Sequence, residues 1–306
     1  MGIKLVVAVT DDDWFEMLRR KPDLPEVNFW SPSPKNFRAL QQGEFFLFKL
    51  HAPRNVIVGG GIFAYASTLP CSLAWEAFGE ANGARSARQM RFRIAKYRRT
   101  VTDGHSDFDI GCRILTQPFF FDESDWIPAP KSWSPNIVAL KTYNTADIEG
   151  LQLWNDINER LNKLTPSGIA EPGSRYGNPQ IIQPRLGQGA FRVVVTEIYA
   201  RRCAVTRERT LPALDAAHIR PYRDGGKHEP PNGLLLRSDI HRLFDRGYVT
   251  VSPDLHFEVS RRIREEFENG RDYYALHGKR IAVPQKPELR PASRALAWHN
   301  DHCFRG

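Results

Sequence analysis

The chain has 306 residues, 41% hydrophobic and 25% charged, the balance of a globular protein with room for two ordinary domains, which excludes a disordered or fibrous chain. Its formal net charge of +8 and isoelectric point near 9.4 favour an anionic partner such as nucleic acid. No apolar run approaches the roughly 20 residues of a transmembrane helix. Four scattered cysteines, Cys71, Cys112, Cys203 and Cys303, form no CxxC pair, which argues against a disulfide framework or structural zinc and for a reducing, cytoplasmic setting.

In chain order, KLVVAVT reads as a strand, and DDDWFEMLRR as a short helix with an Asp as its N-cap. GEFFLFKLHA and NVIVGGGIFAYAS are further strands, and LAWEAFGEAN is a helix closed by Gly83. DESDWIPAPKSWSP, with three prolines and two tryptophans, reads as an ordered extended segment closing a first domain over 1–145. TADIEGLQLWNDINERLNKL is predicted helical, and the Gly- and Pro-rich stretch after it is the candidate linker, so 146–189 joins the domains. GAFRVVVTEIYARRC opens a second domain over 190–306 with apolar residues at helical spacing. GYVTVSP and HFEVS suggest strands, RRIREEFENG a helix, and the remainder an irregular tail.

The chemistry concentrates in LDAAHIRPYRDGGKHEPPNGLLLRSDIHRLFD, where His218, Asn232 and His241 stand fourteen and nine residues apart. LDAAHI reads as one arm of a hairpin, DGG at 224–226 as its turn, and GLLLRSDIHRLFD as a return strand entering a helix. In that helix His241 and Asp245 are i and i+4 and share a face, a half-shell for a divalent cation. His218, on the facing strand, would reach a water near that cation. An imidazole suits proton removal from water, and a metal ion suits charge neutralisation and leaving-oxygen stabilisation in phosphodiester hydrolysis. Asn232 cannot act as a base and is expected to hold backbone across the loop. Cys203 is read as buried packing, and Arg220, Arg223 and Lys227 as backbone contacts to DNA.

These residues resemble the HNH (ββα-metal) nuclease motif. The resemblance implies His218 as general base, Asn232 as organiser, His241 as metal ligand, one Mg2+ or Mn2+ per site, and 5′-phosphate and 3′-hydroxyl products. Many members carry Asp or His immediately before the base; this chain has Ala217 there. The second ligand is therefore open among Asp245, Asp215 and Asp239, in that order, and Ala217 also supports a rival reading as a non-catalytic nucleic-acid-binding protein.

VNFWSPSPKNFRAL, GEFFLFKL and NVIVGGGIFAYAS resemble the PUA-like group, which includes EVE, ASCH and YTH domains, through Trp30, Gly43, Glu44 and Gly59 to Gly61. That resemblance implies a small β-barrel holding a nucleobase between aromatic walls, for which Trp30, Tyr65 and Trp75 are candidates. The expected fold class is thus α+β, a PUA-like barrel followed by an HNH domain. The combination implies a restriction endonuclease for double-stranded DNA carrying 5-methyl- or 5-hydroxymethylcytosine, acting as a homodimer or by two nicks. An HNH enzyme whose first domain only docks DNA is the other reading.

Overall fold

The computed structural model describes residues 2–21, 23–98, 107–164, 181–182 and 184–306. The chain divides into two compact units, Met1–Leu186 and Gly187–Gly306, and both are α+β. The Gly- and Pro-rich stretch expected as linker lies largely at 165–180, outside the described residues.

The first unit contains strands β1 (Lys4–Thr10), β2 (Glu26–Ser31), β3 (Phe45–Leu50), β4 (Val56–Pro70), β5 (Asp109–Phe120), β6 (Ile127–Pro128) and β7 (Leu140–Asn144). Its helices are α1 (Asp12–Leu18), α2 (Cys71–Phe78), α3 (Ala87–Arg98) and α4 (Ile148–Leu164). Among the described residues the strands form one sheet ordered β2-β5-β4-β3-β1-β7, with β6 beside β4. β1 and β3 run parallel; β7 on β1 and β5 on β4 are antiparallel.

The run FFLFKL has no polar alternation because both faces of β3 are covered. Phe45 and Leu47 join one core cluster with Leu153, Trp154 and Ile157 of α4. Phe46, Phe48 and Leu50 join the other with Trp14, Phe15 and Leu18 of α1. Each such phenylalanine, buried outright, contributes about 1.5–3 kcal/mol. The glycines of β4 admit close neighbours: a Cβ on Gly60 would stand 2.7 Å from the Phe46 carbonyl oxygen.

The sheet corrects the expectation of a barrel. Its path ends at β2 and β7, and among the described residues no ladder joins them. A barrel fills its interior with its own side chains, whereas here helices fill in on both faces. The β2 edge is covered instead by the turn after α2, where the Trp30 indole Nε1 donates to the Asn82 carbonyl at 2.9 Å. Asp11 also departs from expectation. It precedes α1 but its side chain caps nothing there, being engaged by Tyr97 Oη at 2.7 Å and by His51 Nε2 at 3.3 Å.

The second unit contains α5 (Gln188–Ile198), β8 (Leu214–His218), β9 (Gly233–Arg237), α6 (Ser238–Asp245), β10 (Val249–Val251), β11 (Phe257–Val259), α7 (Arg262–Phe267), α8 (Arg271–Tyr274) and α9 (Ser293–His302). β8 and β9 form the expected antiparallel hairpin, with His218 opposite Gly233, and α6 follows β9 without a break. Leu234, Leu235, Leu236, Ile240, Phe244 and Leu296 share one core cluster. The last of these sits on α9, so the tail expected to be irregular carries a helix packed on the hairpin's core. Among the described residues no helix is long and apolar enough to cross a membrane.

Candidate active site

The hairpin and α6 line an open cleft of about 670 Å3 that includes His218, Asp215, His241, Asp245 and Arg223. Four of the sequence-predicted residues, His218, Asp215, His241 and Arg223, thus line one cleft with the leading ligand candidate, Asp245. Asn232 stands behind the cleft, buried. Its Oδ1 accepts the Arg220 N–H at 2.9 Å, and its Nδ2 donates to the Arg220 and Lys227 carbonyls at 2.9 and 3.0 Å. One amide therefore closes the loop between the hairpin arms, as a residue with both donor and acceptor can.

His218 lies flat against Phe191 of α5, ring centroids 4.0 Å apart. Its Nε2 is 2.9 Å from His228 Nδ1, and His228 is stacked in turn on Tyr222. Among the described residues His218 Nδ1 has no hydrogen-bond partner. Burial first, then the neighbouring His228 and His241, pull the His218 pKa down to about 4. The ring is neutral at physiological pH, and His218 lines the cleft; a neutral imidazole is the state a general base requires. His228, Tyr222 and Phe191 were not singled out in the sequence. The signal available was a second histidine ten residues on in the same loop, which also carries Tyr222.

His241 is flanked on both nitrogens: Asp215 Oδ2 lies 3.5 Å from Nδ1, and Asp245 Oδ2 3.4 Å from Nε2. Ala217, in the position where a ligand is common, is fully buried in the core cluster. Asp239 is drawn off by Arg237, at 2.6 and 2.8 Å, and by Tyr273 at 3.2 Å. It does not line the cleft. Among the described residues no group of three or more His, Cys, Asp or Glu side chains is placed to hold a metal ion. The donor types suit a hard divalent ion: one imidazole nitrogen with one carboxylate as ligands, and the other carboxylate beside the second ring nitrogen.

The candidate DNA contacts divide. Arg223 is exposed on the cleft and pairs with Asp224; Lys227 is exposed beside Glu229. Arg220 is committed inward, donating from Nε to the Asp224 carbonyl at 2.6 Å and lying over the Trp298 ring. Cys203 is buried, its Sγ accepting the Thr206 and Arg237 N–H groups.

His299 also borders the cleft but is spent on structure. It is buried against Phe244, with Nε2 toward the Phe244 carbonyl and Nδ1 toward the Thr250 hydroxyl. Burial lowers its pKa from 6.5 to about 4. The folded state resists its protonation, so its contribution to stability is complete above pH 6.5 and is lost as the pH falls toward 4. The expected loss at the acid end is about 3 kcal/mol. Melting temperatures from pH 7 to 4.5 should therefore decline, and His299→Gln should flatten that decline; parallel curves would remove His299 as the titrating group.

In the first unit, a pocket of about 220 Å3 opens between the ends of β1, β2 and β7, with Trp30, Tyr97, Asp11, His51 and Arg113 on its walls. Trp30 lines it. Tyr65 on β4 and Trp75 on α2 are not among its lining residues. Tyr97 comes from α3, its ring centroid 6.4 Å from that of Trp30. Burial and the Asp11 carboxylate push its pKa up, so its hydroxyl stays protonated.

Residues 203–252, spanning the hairpin and α6, match the family model described as HNH endonuclease. The matched segment lies wholly within the second unit and takes in the candidate site. Comparison with curated proteins returns no match. Among solved structures, an ASCH protein from Zymomonas mobilis is similar at 10% identity and a TM-score of 0.33, over 51% of this chain and 94% of that one. A modification-dependent TagI restriction endonuclease is similar at 13% identity and a TM-score of 0.30, over 92% of this chain and 76% of that one. The type IV phosphorothioation-dependent restriction endonuclease ScoMcrA is similar at 12% identity and a TM-score of 0.20, over 78% and 48%.

Proposed function

We propose that the chain is a metal-dependent DNA endonuclease of the restriction type, directed to base-modified double-stranded DNA by its first unit and acting in the cytoplasm. The observation that carries the nuclease mechanism is His218: a neutral imidazole with an unpartnered Nδ1, in one cleft with His241 and two flanking carboxylates.

In this reading His218 Nδ1 takes the proton of a water that attacks the scissile phosphorus, while its Nε2–H is held by His228 Nδ1, which keeps the accepting nitrogen free. Asn232 fixes the loop that carries His228, and so the orientation of the pair. A divalent cation, Mg2+ or Mn2+, held by His241 with Asp245 or Asp215, would supply charge neutralisation at the phosphate and at the leaving oxygen. Arg223 and Lys227 contact the DNA backbone, an interaction that the net charge of +8 supports and that weakens as salt rises. Cutting both strands takes two such sites, from a homodimer or from successive nicks.

The first unit would take an everted base against Trp30. Its pocket is smaller than the roughly 300–1,000 Å3 of drug-sized sites and suits one flat ring, and the Trp30 face is held in place through the bond to Asn82. Matched plasmids, unmodified and cytosine-modified, test the reading with Mg2+, with Mn2+ and with EDTA. Cleavage of the modified plasmid alone, abolished by EDTA, is the expected result. Equal cutting of both would discard the modified-base reader, and DNA bound but uncut under every condition would discard the nuclease.

A further inference from the structure

Arg113 of β5 is 8% exposed and lines the first unit's pocket. Its Nε is buried without a hydrogen-bond partner. Among the described residues the guanidinium has no carboxylate facing it; its one ring contact is with Phe37, 5.3 Å from the centroid. A buried arginine normally uses its fork of donors on carboxylate or phosphate oxygens, and burying the charge unpaired is unfavourable. Burial accordingly lowers the Arg113 pKa, opposed only by the adjacent Cys112. Asp11, the acid on the same pocket, is already bound by Tyr97 and His51.

We propose that Arg113 is a specificity-determining residue, and that the pocket takes a flipped cytosine carrying an anionic substituent such as a carboxylate at ring position 5. This rests on the reading of the first unit as a base reader. A neutral ring oxygen would offer Arg113 hydrogen bonds but would leave its charge uncompensated; a carboxylate supplies both. Asp11 also lines the pocket, and since Tyr97 and His51 both engage its Oδ1, its Oδ2 offers an acceptor for the exocyclic amine that cytosine carries beside that position and that thymine lacks. Trp30 provides the stacking face.

The test is binding of the full chain, with EDTA present to prevent cleavage, to short duplexes containing one 5-carboxylcytosine, one 5-methylcytosine or only cytosine. The 5-carboxylcytosine duplex is expected to bind at least about tenfold tighter than the 5-methylcytosine duplex. Arg113→Met should erase that difference, with an unchanged melting temperature showing that the unit still folds, and Arg113→Lys should retain part of it. Equal binding of the two modified duplexes, or a preference that survives Arg113→Met, overturns the proposal. Trp30→Ala separates the two levels. If it weakens binding of modified duplexes while 5-methylcytosine is preferred, only the anionic class falls. If it changes no duplex's binding, the base reader falls with it.

Discussion

Replacing His218 with alanine is expected to lower the rate of DNA cleavage by about 10²–10⁴, the range that a positioned general base contributes, while DNA binding stays within a few-fold of wild type. The expectation follows from what the ring does and does not touch. It is stacked on Phe191 and tied to His228 on one nitrogen, with the other left open. It belongs to neither the ion pair around His241 nor the Asn232 bonds, so its removal leaves the cation ligands and the loop in place. Because its pKa lies near 4, the wild-type rate should not show the fall below pH 6.5 that an unperturbed histidine would impose. Single-turnover cleavage of a labelled duplex, with melting temperature and binding measured on the same samples, decides the matter. A variant that cuts at the wild-type rate would remove His218 as the base, and His228, whose pKa burial also lowers, would be next to test.

The catalytic half was legible because its determinants are local. Hairpin arms, turn and helix are contiguous in sequence, so LDAAH, DGG and GLLLRSDIHRLFD each betray their conformation by spacing alone. His241 and Asp245 needed only helical periodicity to be paired. The pocket of the first unit was opaque for the opposite reason. Asp11 looks like an N-cap from its neighbours, yet its partners Tyr97 and His51 come from remote segments. Strand β5 carries a weak local signal: Gln117 takes a positive φ of 50° and Pro118 follows it, interrupting the pattern near its end, and nothing in the sequence around Arg113 marks it for a pocket. Helices α3 and α9 bury few residues, Met90, Ile94 and Ala95 on the first and Leu296 with the polar His299 on the second, a pattern that a periodicity test passes over. Tyr65 and Trp75 were chosen for being aromatic, and residue type says nothing about which side of a strand or helix faces a pocket.

Asn232→Ala is expected to destabilise the second unit by about 2–4 kcal/mol and to reduce cleavage with it. The substitution strips partners from one backbone N–H and two carbonyls at once. A buried polar group left unpaired costs about 1–3 kcal/mol, and partial access of water to the loop keeps the total below the sum of three. The loop has little room to re-form around the loss. An added Cβ on Gly226 would stand 1.9 Å from the Arg220 carbonyl oxygen and 2.9 Å from Asn232 Nδ2, so the chain there is already pressed against the amide that holds it. Asn232→Asp makes the sharper test. Its carboxylate would still accept the Arg220 N–H, but it would turn an oxygen toward two carbonyl oxygens where the native amide donates. At neutral pH it should therefore be no more stable than the alanine variant, although it is nearly identical to asparagine in shape. Urea unfolding of both variants beside wild type, with cleavage rates on each, measures this directly. An aspartate variant as stable and active as wild type would mean that the loop does not depend on the donor half of Asn232, and that His228 is held beside His218 by its stacking on Tyr222 alone.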